Sequence, residues 1–389
     1  RKDSPLIIGA GRGENFIASD VPAILKHTRD VYRLGERELA ILTKDGVTVI
    51  NSYGERVNCV YEHIDWDASA AEKCGYPHFM IKEIMEQPEA IAKTIAPRIS
   101  NGRIELGFKH ITAEMLKKVN SIKIIGCGSA YHVGFVAGYF MRAALRIPVE
   151  SVLASEFRYD DPIVDENTLA IVISQSGETL DTLYGLREAK KHGAKTIAIV
   201  NVVGSTIANE SEDVLYTWAG PEIAVATTKA YSTQLTAIYL FALYVAQTLE
   251  ILSSDELAIY IDALEKLPDN IEKILDDKGE IQFIASQHYN SKSVFFLGRT
   301  LDYAVALEGS LKLKEISYIH SEAYAAGELK HGTIALIEPG TVVVALCTVR
   351  ELYDKMLSNI KEVKARGAVV IAVAEEGNTA IEHEADYVI

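Results

Sequence analysis

The stretch 168–201, TLAIVISQSGETLDTLYGLREAKKHGAKTIAIVN, decides the fold of this chain. An apolar run of strand length stops at Ser174, an amphipathic helical pattern begins near Leu180, and a second apolar run follows. Fully apolar strands separated by such helices indicate a parallel sheet that is covered by helices on both faces. The stretch therefore predicts an α/β fold, with the polar loop ISQSGET at the carboxyl end of a strand.

The same pattern occurs twice along the chain. The corresponding segments are NSIKIIGC (120–127) and KSVFFLGR (292–299), LAIVISQS (169–176) and TVVVALCT (341–348), and EAKKHGAKTIAIVNV (188–202) and EVKARGAVVIAVAEE (362–376). This internal duplication predicts two α/β domains, at about residues 105–250 and 280–389. The second copy stops at ADYVI without the long apolar helix of the first, so we expect it to be incomplete at its C-terminus.

Residues 1–66 have a different sequence pattern. The segment ELAILTKDGVTVINSYGERV (38–57) alternates apolar and polar residues on either side of Asp45-Gly46, a strong hairpin signal. From residue 67 to 104 the pattern is helical and is interrupted by prolines. We therefore predict a β-rich unit over residues 1–66 and a helical linker over residues 67–104.

Composition restricts the possible partners. The 389 residues are 48% hydrophobic and carry a formal net charge of -15, which argues against a nucleic acid or an anionic membrane as partner. The four cysteines are scattered, which is typical of reduced thiols in a cytosolic protein. The most apolar run, 235–252, contains Gln247 and Glu250 and is better interpreted as a buried helix than as a membrane span. We expect a soluble, cytoplasmic protein.

The polar loop that follows the first apolar run of 168–201 is suited to binding an anion. Helix N-termini offer unpaired N–H groups and the positive end of a dipole. Around the start of the helix near Leu180, hydroxyl and amide groups are concentrated on Ser174, Gln175, Ser176 and Thr179. The alternative is that these residues only cap the helix, for which a single hydroxyl would suffice. Three hydroxyls beside a glycine favour an anion pocket.

Two further segments add polar groups. IGCGSAYHVG (125–134) lacks the third glycine of a dinucleotide-binding loop, and we interpret its Ser129 as another hydroxyl beside the anion pocket. VATTKAYSTQ (225–234) places Thr227, Thr228 and Lys229 at another helix start.

The second domain contains residues suited to proton transfer. Glu308, Lys312 and Glu315 are spaced by 4 and 3 residues on one helical face, and His331 follows in a glycine-flanked segment. A carboxylate, a lysine and a histidine can move protons between neighbouring carbons of a sugar. The alternative is an exposed helix with ion pairs. The charged, Gly-rich segment YAAGELKHG (324–332), interpreted as a loop, favours a site or an interface.

Together, SQSGET, VATTKAYSTQ, HFMIKEIMEQP and ALEGSLKLKEISYIHSEAYAAGELKHG resemble the glutamine–fructose-6-phosphate aminotransferase family, over nearly the whole chain. The resemblance implies two tandem sugar isomerase (SIS) domains, preceded by the β-rich final part of an Ntn-type glutaminase domain that includes ENFIASD (14–20). It implies glucosamine-6-phosphate synthesis from fructose-6-phosphate and glutamine, without a metal or an organic cofactor.

The resemblance also implies roles for individual residues. Ser174, Gln175, Ser176 and Thr179 would hold the sugar phosphate with Ser129 nearby, and Val225 and Thr227 would contact the sugar. Glu315 would be the base that moves a proton between sugar carbons 1 and 2. His331 would assist ring opening in the active site of the neighbouring subunit of a homodimer. Lys312 and Glu308 would support the sugar hydroxyls and the acid–base pair.

Some features of the family are not matched. Ala130 stands where the family commonly has serine, and the chain contains neither the N-terminal cysteine nucleophile nor the C-terminal Schiff-base lysine. We expect the parent protein to be the complete synthase and this chain to carry its sugar-phosphate and isomerase part. Two alternatives remain: another SIS-domain phosphosugar isomerase or deglycase, and a non-catalytic phosphosugar-binding protein.

Overall fold

The computed structural model describes residues 1–2, 5–19, 21, 23–64 and 72–389. Asp20 of the segment ENFIASD and residues 65–71, where the linker was predicted to begin, lie outside the described residues. The strands are β1 Ile7–Ala10, β2 Asn15–Ala18, β3 Asp30–Arg33, β4 Leu39–Thr43, β5 Gly46–Ile50, β6 Arg56–Val57, β7 Glu62–His63, β8 Ile99–Ser100, β9 Arg103–Ile104, β10 Ser121–Gly126, β11 Val149–Leu153, β12 Thr168–Ser174, β13 Lys195–Val200, β14 Asp213–Tyr216, β15 Ser293–Gly298, β16 His320–Ala325, β17 Val342–Cys347, β18 Val369–Ala374 and β19 Tyr387–Val388.

The helices connect these strands and cover the sheets. They are α1 Phe79–Met85, α2 Gln87–Ile95, α3 Ala113–Leu116, α4 Ser129–Leu145, α5 Ala154–Phe157, α6 Leu180–Lys191, α7 Thr206–Glu210, α8 Lys229–Thr248, α9 Ser254–Glu265, α10 Leu267–Asp276, α11 Gly279–His288, α12 Leu301–Ser317, α13 Tyr353–Lys364 and α14 Thr379–Glu382. The apolar run predicted to be a buried helix lies mostly in α8, whose inner face is buried. No helix in the described part of the chain is both long enough and apolar enough to cross a membrane.

Two parallel sheets dominate residues 72–389, which the structure describes without a gap. The first has the strand order β11-β10-β12-β13-β14, and the second repeats it as β16-β15-β17-β18-β19. Every residue of β12 is buried, as its apolar sequence predicts. The predicted fold class is therefore confirmed: two duplicated α/β domains follow an N-terminal unit of antiparallel sheets. The exact domain boundaries stay predictions.

The strand order locates the binding crevice. In a sheet of this order, the chain leaves the first and third strands in opposite directions, and ligands bind outside their carboxyl ends. In the first domain these strands are β10 and β12, so the crevice lies between Gly128 at the start of α4 and the loop that follows Ser174. The interior of the domain is filled by α4 and α8, whose apolar side chains pack on the sheet.

The two domains pack on each other through α4 and α12, which occupy equivalent places in the duplication. The residue before each helix has the same unusual backbone conformation: Gly128 has φ 54° and ψ -125°, and Thr300 has φ 52° and ψ -115°. Both helices also end on a left-handed residue, Arg146 and Tyr318. The duplication therefore extends to the helix ends, with a threonine in the second copy where the first has glycine.

The structure differs from the sequence interpretation in two places. The hairpin of β4 and β5 forms as predicted, but its turn lies at Lys44 and Asp45, because Gly46 is paired with Thr43. The segment 324–332, interpreted as a loop, begins inside β16, whose strand runs to Ala325. This is an edge strand with polar residues, so it lacks the apolar pattern that marks the inner strands.

Candidate active site

The loop after β12 turns sharply at Gly177. Gly177 has φ 66°, and a Cβ atom there would overlap the Ser205 hydroxyl, so only glycine fits this turn. The Ser174 hydroxyl accepts the Gly177 N–H at 3.0 Å and lies 2.8 Å from the Thr179 hydroxyl. The loop is thus held by its own hydroxyl groups, which fold it around the start of α6.

The other side chains of the loop keep hydrogen-bonding capacity for a ligand, although the Ser176 hydroxyl accepts the Glu178 N–H at 3.1 Å and the Thr179 hydroxyl lies beside that of Ser174. Thr179 is the residue before α6, yet its side chain makes no capping hydrogen bond to the helix. Ser176 is exposed. The Gln175 side-chain oxygen is buried and has no hydrogen-bond partner among the described residues. The interpretation of these residues as simple helix caps is therefore disfavoured, and an anion can take the donors at this helix end.

A cavity of about 740 Å³ opens beside this loop. Gln175, Ser176 and Thr179 line one side of it, and Glu222 and Ile223 line another. The N-terminal unit closes it with residues that include Lys26 and Arg33. The volume lies in the range of cavities that bind small molecules.

The loop before α8, residues 221–228, lines the same cavity as the loop 174–179. One Glu222 oxygen accepts the Thr227 hydroxyl at 2.5 Å, and the other accepts the N–H groups of Thr228 at 2.9 Å and Ala230 at 3.1 Å. Val225 projects into solvent. Of the two predicted sugar contacts, Thr227 is therefore engaged by Glu222 and Val225 is free to meet a ligand. Their role stays a prediction.

This wall is supported from the linker by Glu83 of α1. The Glu83 carboxylate accepts the N–H groups of Ile223 at 2.6 Å and Ala224 at 3.1 Å. Burial raises the pKa of Glu83, and the nearby Glu222 raises it too, while the two N–H groups and Lys229 lower it.

The raised pKa of Glu83 predicts a pH-dependent stability. Between the ordinary carboxyl range near pH 4 and its folded-state pKa, the native protein binds more protons than the unfolded chain, so stability falls as pH rises. Glu83→Gln removes this titration. We expect its melting temperature, relative to the parent, to be higher at about pH 7 than at about pH 4. A constant difference across this range, measured by circular dichroism, would contradict the assignment.

A second cluster joins the two α/β domains at the α4–α12 contact. Glu308 of α12 is buried, and its carboxylate accepts the Ser129 hydroxyl at 2.7 Å and lies 2.8 Å from His132 Nδ1. The Lys312 ammonium lies 3.6 Å from Glu308 and 2.5 Å from Glu315. A continuous polar chain therefore leads from buried Glu308 through Lys312 to exposed Glu315.

This geometry changes the interpretation of two residues. Ser129 lies at the start of α4, as predicted for a crevice residue, but its hydroxyl is bonded to Glu308 in the other domain. His132 was not identified from the sequence, although it lies three residues after Ser129 on the same helix and therefore on the same side.

His331 is separated from this cluster. It lies in a short helical turn after β16 and is exposed. Within the described part of the chain, no hydrogen bond or ion pair joins its side chain to Glu308, Lys312 or Glu315. The structure of one chain brings together three of the four predicted catalytic residues and leaves the histidine apart.

The equivalent strand end of the second domain is already occupied. Asp302, in the first turn of α12, is buried and accepts the Thr348 N–H at 2.9 Å and the Thr348 hydroxyl at 2.5 Å. Burial, with a further contribution from Asp302, raises the pKa of the neighbouring Cys347 thiol to about 12. An internal carboxylate thus takes donors that the first domain leaves to a ligand.

The bond between Ser129 and Glu308 predicts a stability effect. Ser129→Ala removes a donor from a buried carboxylate, and we expect the free energy of unfolding to fall by about 1–3 kcal/mol. Urea denaturation monitored by circular dichroism measures the change. Ser317→Ala is the matched control, because Ser317 lies on α12 but is exposed. Equal effects of the two substitutions would contradict a stabilising role of the bond.

Comparisons with known proteins agree with this architecture. A SIS domain model matches residues 115–244 and 288–389, which contain both parallel sheets. The chain therefore belongs to the SIS-domain family. Among the described residues, no group of three or more His, Cys, Asp or Glu side chains is placed to hold a metal ion.

Within this family, the chain matches the SIS region of glutamine–fructose-6-phosphate aminotransferases, as its resemblance implied. It is 58% identical over its whole length to the enzyme of that name from Caldanaerobacter subterraneus subsp. tengcongensis, and 57% identical over 97% of its length to that from Clostridium tetani. The chain spans 64% and 62% of the length of these two relatives.

Solved structures of related proteins have a similar fold. The C-terminal domain of glucosamine-fructose-6-phosphate aminotransferase from Francisella tularensis superposes with a TM-score of 0.78 at 40% identity, over 82% of this chain and 90% of that chain. A putative phosphosugar isomerase from Silicibacter pomeroyi superposes with a TM-score of 0.62 at 26% identity, over 76% of this chain and 85% of that chain.

Proposed function

We propose that this chain is the sugar-phosphate binding and isomerase part of a glutamine–fructose-6-phosphate aminotransferase. In the overall reaction, fructose-6-phosphate and glutamine give glucosamine-6-phosphate and glutamate. The observation that carries the proposal is that the chain holds both a strand-end loop, 174–179, whose Thr179 makes no capping bond, and a carboxylate–lysine cluster at the contact of the two domains. The relatives that match the whole chain are named for this reaction.

The loop would bind the phosphate first. The hydroxyls of Ser176 and Thr179 and the free N–H groups at the start of α6 can donate to phosphate oxygens. With a net charge of -15, the protein as a whole repels an anion, so this local set of donors has to supply the affinity. Val225 and Thr227, on the facing loop, are proposed to contact the sugar.

Glu315 would then move the proton. After the nitrogen derived from glutamine has replaced the carbonyl oxygen at carbon 2, a proton leaves carbon 1 and is returned to carbon 2, which converts the ketose skeleton into an amino aldose. The exposed carboxylate of Glu315 is proposed as the base, and Lys312, 2.5 Å away, holds it in place. Glu308, fixed by Ser129 and His132, anchors Lys312 from the other side.

The remaining proposals concern a second subunit, the glutaminase domain and the location in the cell. Because His331 is exposed and apart from Glu315, we propose that it completes the site of a second subunit in a homodimer and assists ring opening there. We assign the antiparallel sheets of residues 1–66 to the end of a glutaminase domain. Among the described residues no disulfide joins Cys59, Cys74, Cys127 or Cys347, in keeping with the proposed cytoplasmic location.

Calorimetric titration tests the proposal. The chain is titrated with fructose-6-phosphate, glucosamine-6-phosphate, tagatose-6-phosphate and unphosphorylated fructose. We expect the first two to bind, with one molecule per chain because Asp302 fills the second strand end, and fructose not to bind. Preference for tagatose-6-phosphate would favour another phosphosugar isomerase. Equal affinity for all three sugar phosphates would favour a phosphosugar-binding protein.

A further inference from the structure

The loop 221–228, on the sugar side of the cavity, is held by a group outside both α/β domains. Glu83 of linker helix α1 is only 2% exposed, and one of its oxygens accepts two consecutive N–H groups, those of Ile223 and Ala224. Its other oxygen is buried and has no hydrogen-bond partner among the described residues. Glu83 therefore directs its bonding to the backbone of this one loop.

Ion pairs also join the linker to the start of α8, next to the loop 221–228. Glu86 lies 2.7 Å from the Lys229 ammonium and 3.3 Å from that of Lys82. Both lysines are buried. Burying charged groups is costly even when they are paired, so such a cluster is a weak source of stability. What it does supply is a fixed geometry between α1 and the start of α8.

The position of the loop matters for the cavity. Glu222 and Ile223 line the wall that faces Ser176 and Thr179. The loop 174–179 is held by the Ser174 hydroxyl and by Glu178, whose carboxylate accepts the N–H and the hydroxyl of Thr206, whereas Glu83 fixes two backbone groups of the facing wall. Both backbone hydrogen bonds that Glu83 accepts from the described residues come from the facing wall, so a change at Glu83 acts first on that wall.

We propose that Glu83 is a positioning residue for the sugar half of the site. It sets the distance of the loop 221–228 from the phosphate loop and thereby selects a phosphate that carries a sugar over inorganic phosphate. This rests on the proposed function, in which the phosphate is bound at 174–179 and the sugar against the facing loop. It assigns to the linker a direct influence on substrate selection.

Two substitutions at Glu83 separate the effect of side-chain length from the effect of charge. Glu83→Gln keeps the side-chain length and an oxygen acceptor for both N–H groups, whereas Glu83→Asp keeps the charge but withdraws it by one methylene. Glu89→Gln is the control, because Glu89 lies on the next helix and is exposed. Each variant and the parent are titrated by calorimetry with fructose-6-phosphate and with inorganic phosphate, and melting curves verify that they fold.

We expect Glu83→Asp to weaken fructose-6-phosphate binding about tenfold, as for the loss of one hydrogen bond to a charged group, with phosphate binding unchanged within about twofold. Glu83→Gln and the control should bind both ligands like the parent. Equal weakening of both ligands, or no weakening in Glu83→Asp, would overturn the positioning role alone. A parent chain that binds phosphate as tightly as fructose-6-phosphate would overturn the proposed function as well.

Discussion

Glu315→Gln is expected to slow the exchange of the carbon-1 protons of fructose-6-phosphate with solvent, measured with ammonium as the source of nitrogen, by about 10²–10⁴-fold, the usual contribution of a general base. The amide is the same size as the carboxylate but cannot accept the proton. Glu315 is exposed and ends the polar chain that starts at Glu308, so its replacement removes the base without opening the buried contact of the domains. Proton NMR of the sugar in deuterium oxide follows the exchange.

The binding affinity separates this effect from damage to the site. Because Glu315 is not part of the phosphate loop, the dissociation constant for fructose-6-phosphate should remain within about threefold of the parent value, a change of less than 1 kcal/mol. Glu280→Gln serves as the control, since Glu280 is an exposed carboxylate on α11. A Glu315→Gln chain that exchanges the protons at the parent rate would remove Glu315 from the mechanism.

The double substitution Ser176→Ala, Thr179→Val should have the largest effect on binding. A hydrogen bond to a charged group contributes about 1.5–3 kcal/mol, so losing two donors to the phosphate should weaken binding by at least about 100-fold.

Calorimetric titration with fructose-6-phosphate measures the effect of the double substitution. Ser286→Ala, on α11 and outside the cavity beside the loop 174–179, is the control for removing an exposed hydroxyl. Parent-like affinity of the double variant would show that the phosphate is held elsewhere.

The parts of the fold that follow from local pattern could be predicted. β12 and β13 each contain an uninterrupted apolar run, and the helix between them has a clear amphipathic period, so the strand–loop–helix unit of 168–201 is visible in the sequence. The repeat of that pattern at 341–376 then predicts the second domain. The loop Ser174–Thr179 follows from the same pattern, because its polar residues interrupt an apolar run at a strand end.

Contacts between distant residues could not be predicted in the same way. Ser129 and Glu308 are 179 positions apart, and their bond depends on how α4 packs against α12. His132 and Glu83 were missed for the same reason, since each acts on a segment far away in the chain. Asp302 was missed because its significance appears only when the second strand end is compared with the first.

The edge strands illustrate a different limit. β16 pairs on one side only, so its side chains need not be apolar, and the segment 324–332, which begins at its end, was interpreted as a loop.

A crystal structure of this chain with fructose-6-phosphate tests the central claim most directly. The phosphate should lie against the Ser176 and Thr179 hydroxyls at the start of α6, with the sugar extending toward the loop 221–228, and the strand end beside Asp302 should hold no sugar phosphate. A phosphate bound beside Thr348 in the second domain, or anywhere outside the cavity at the end of β12, would contradict the account.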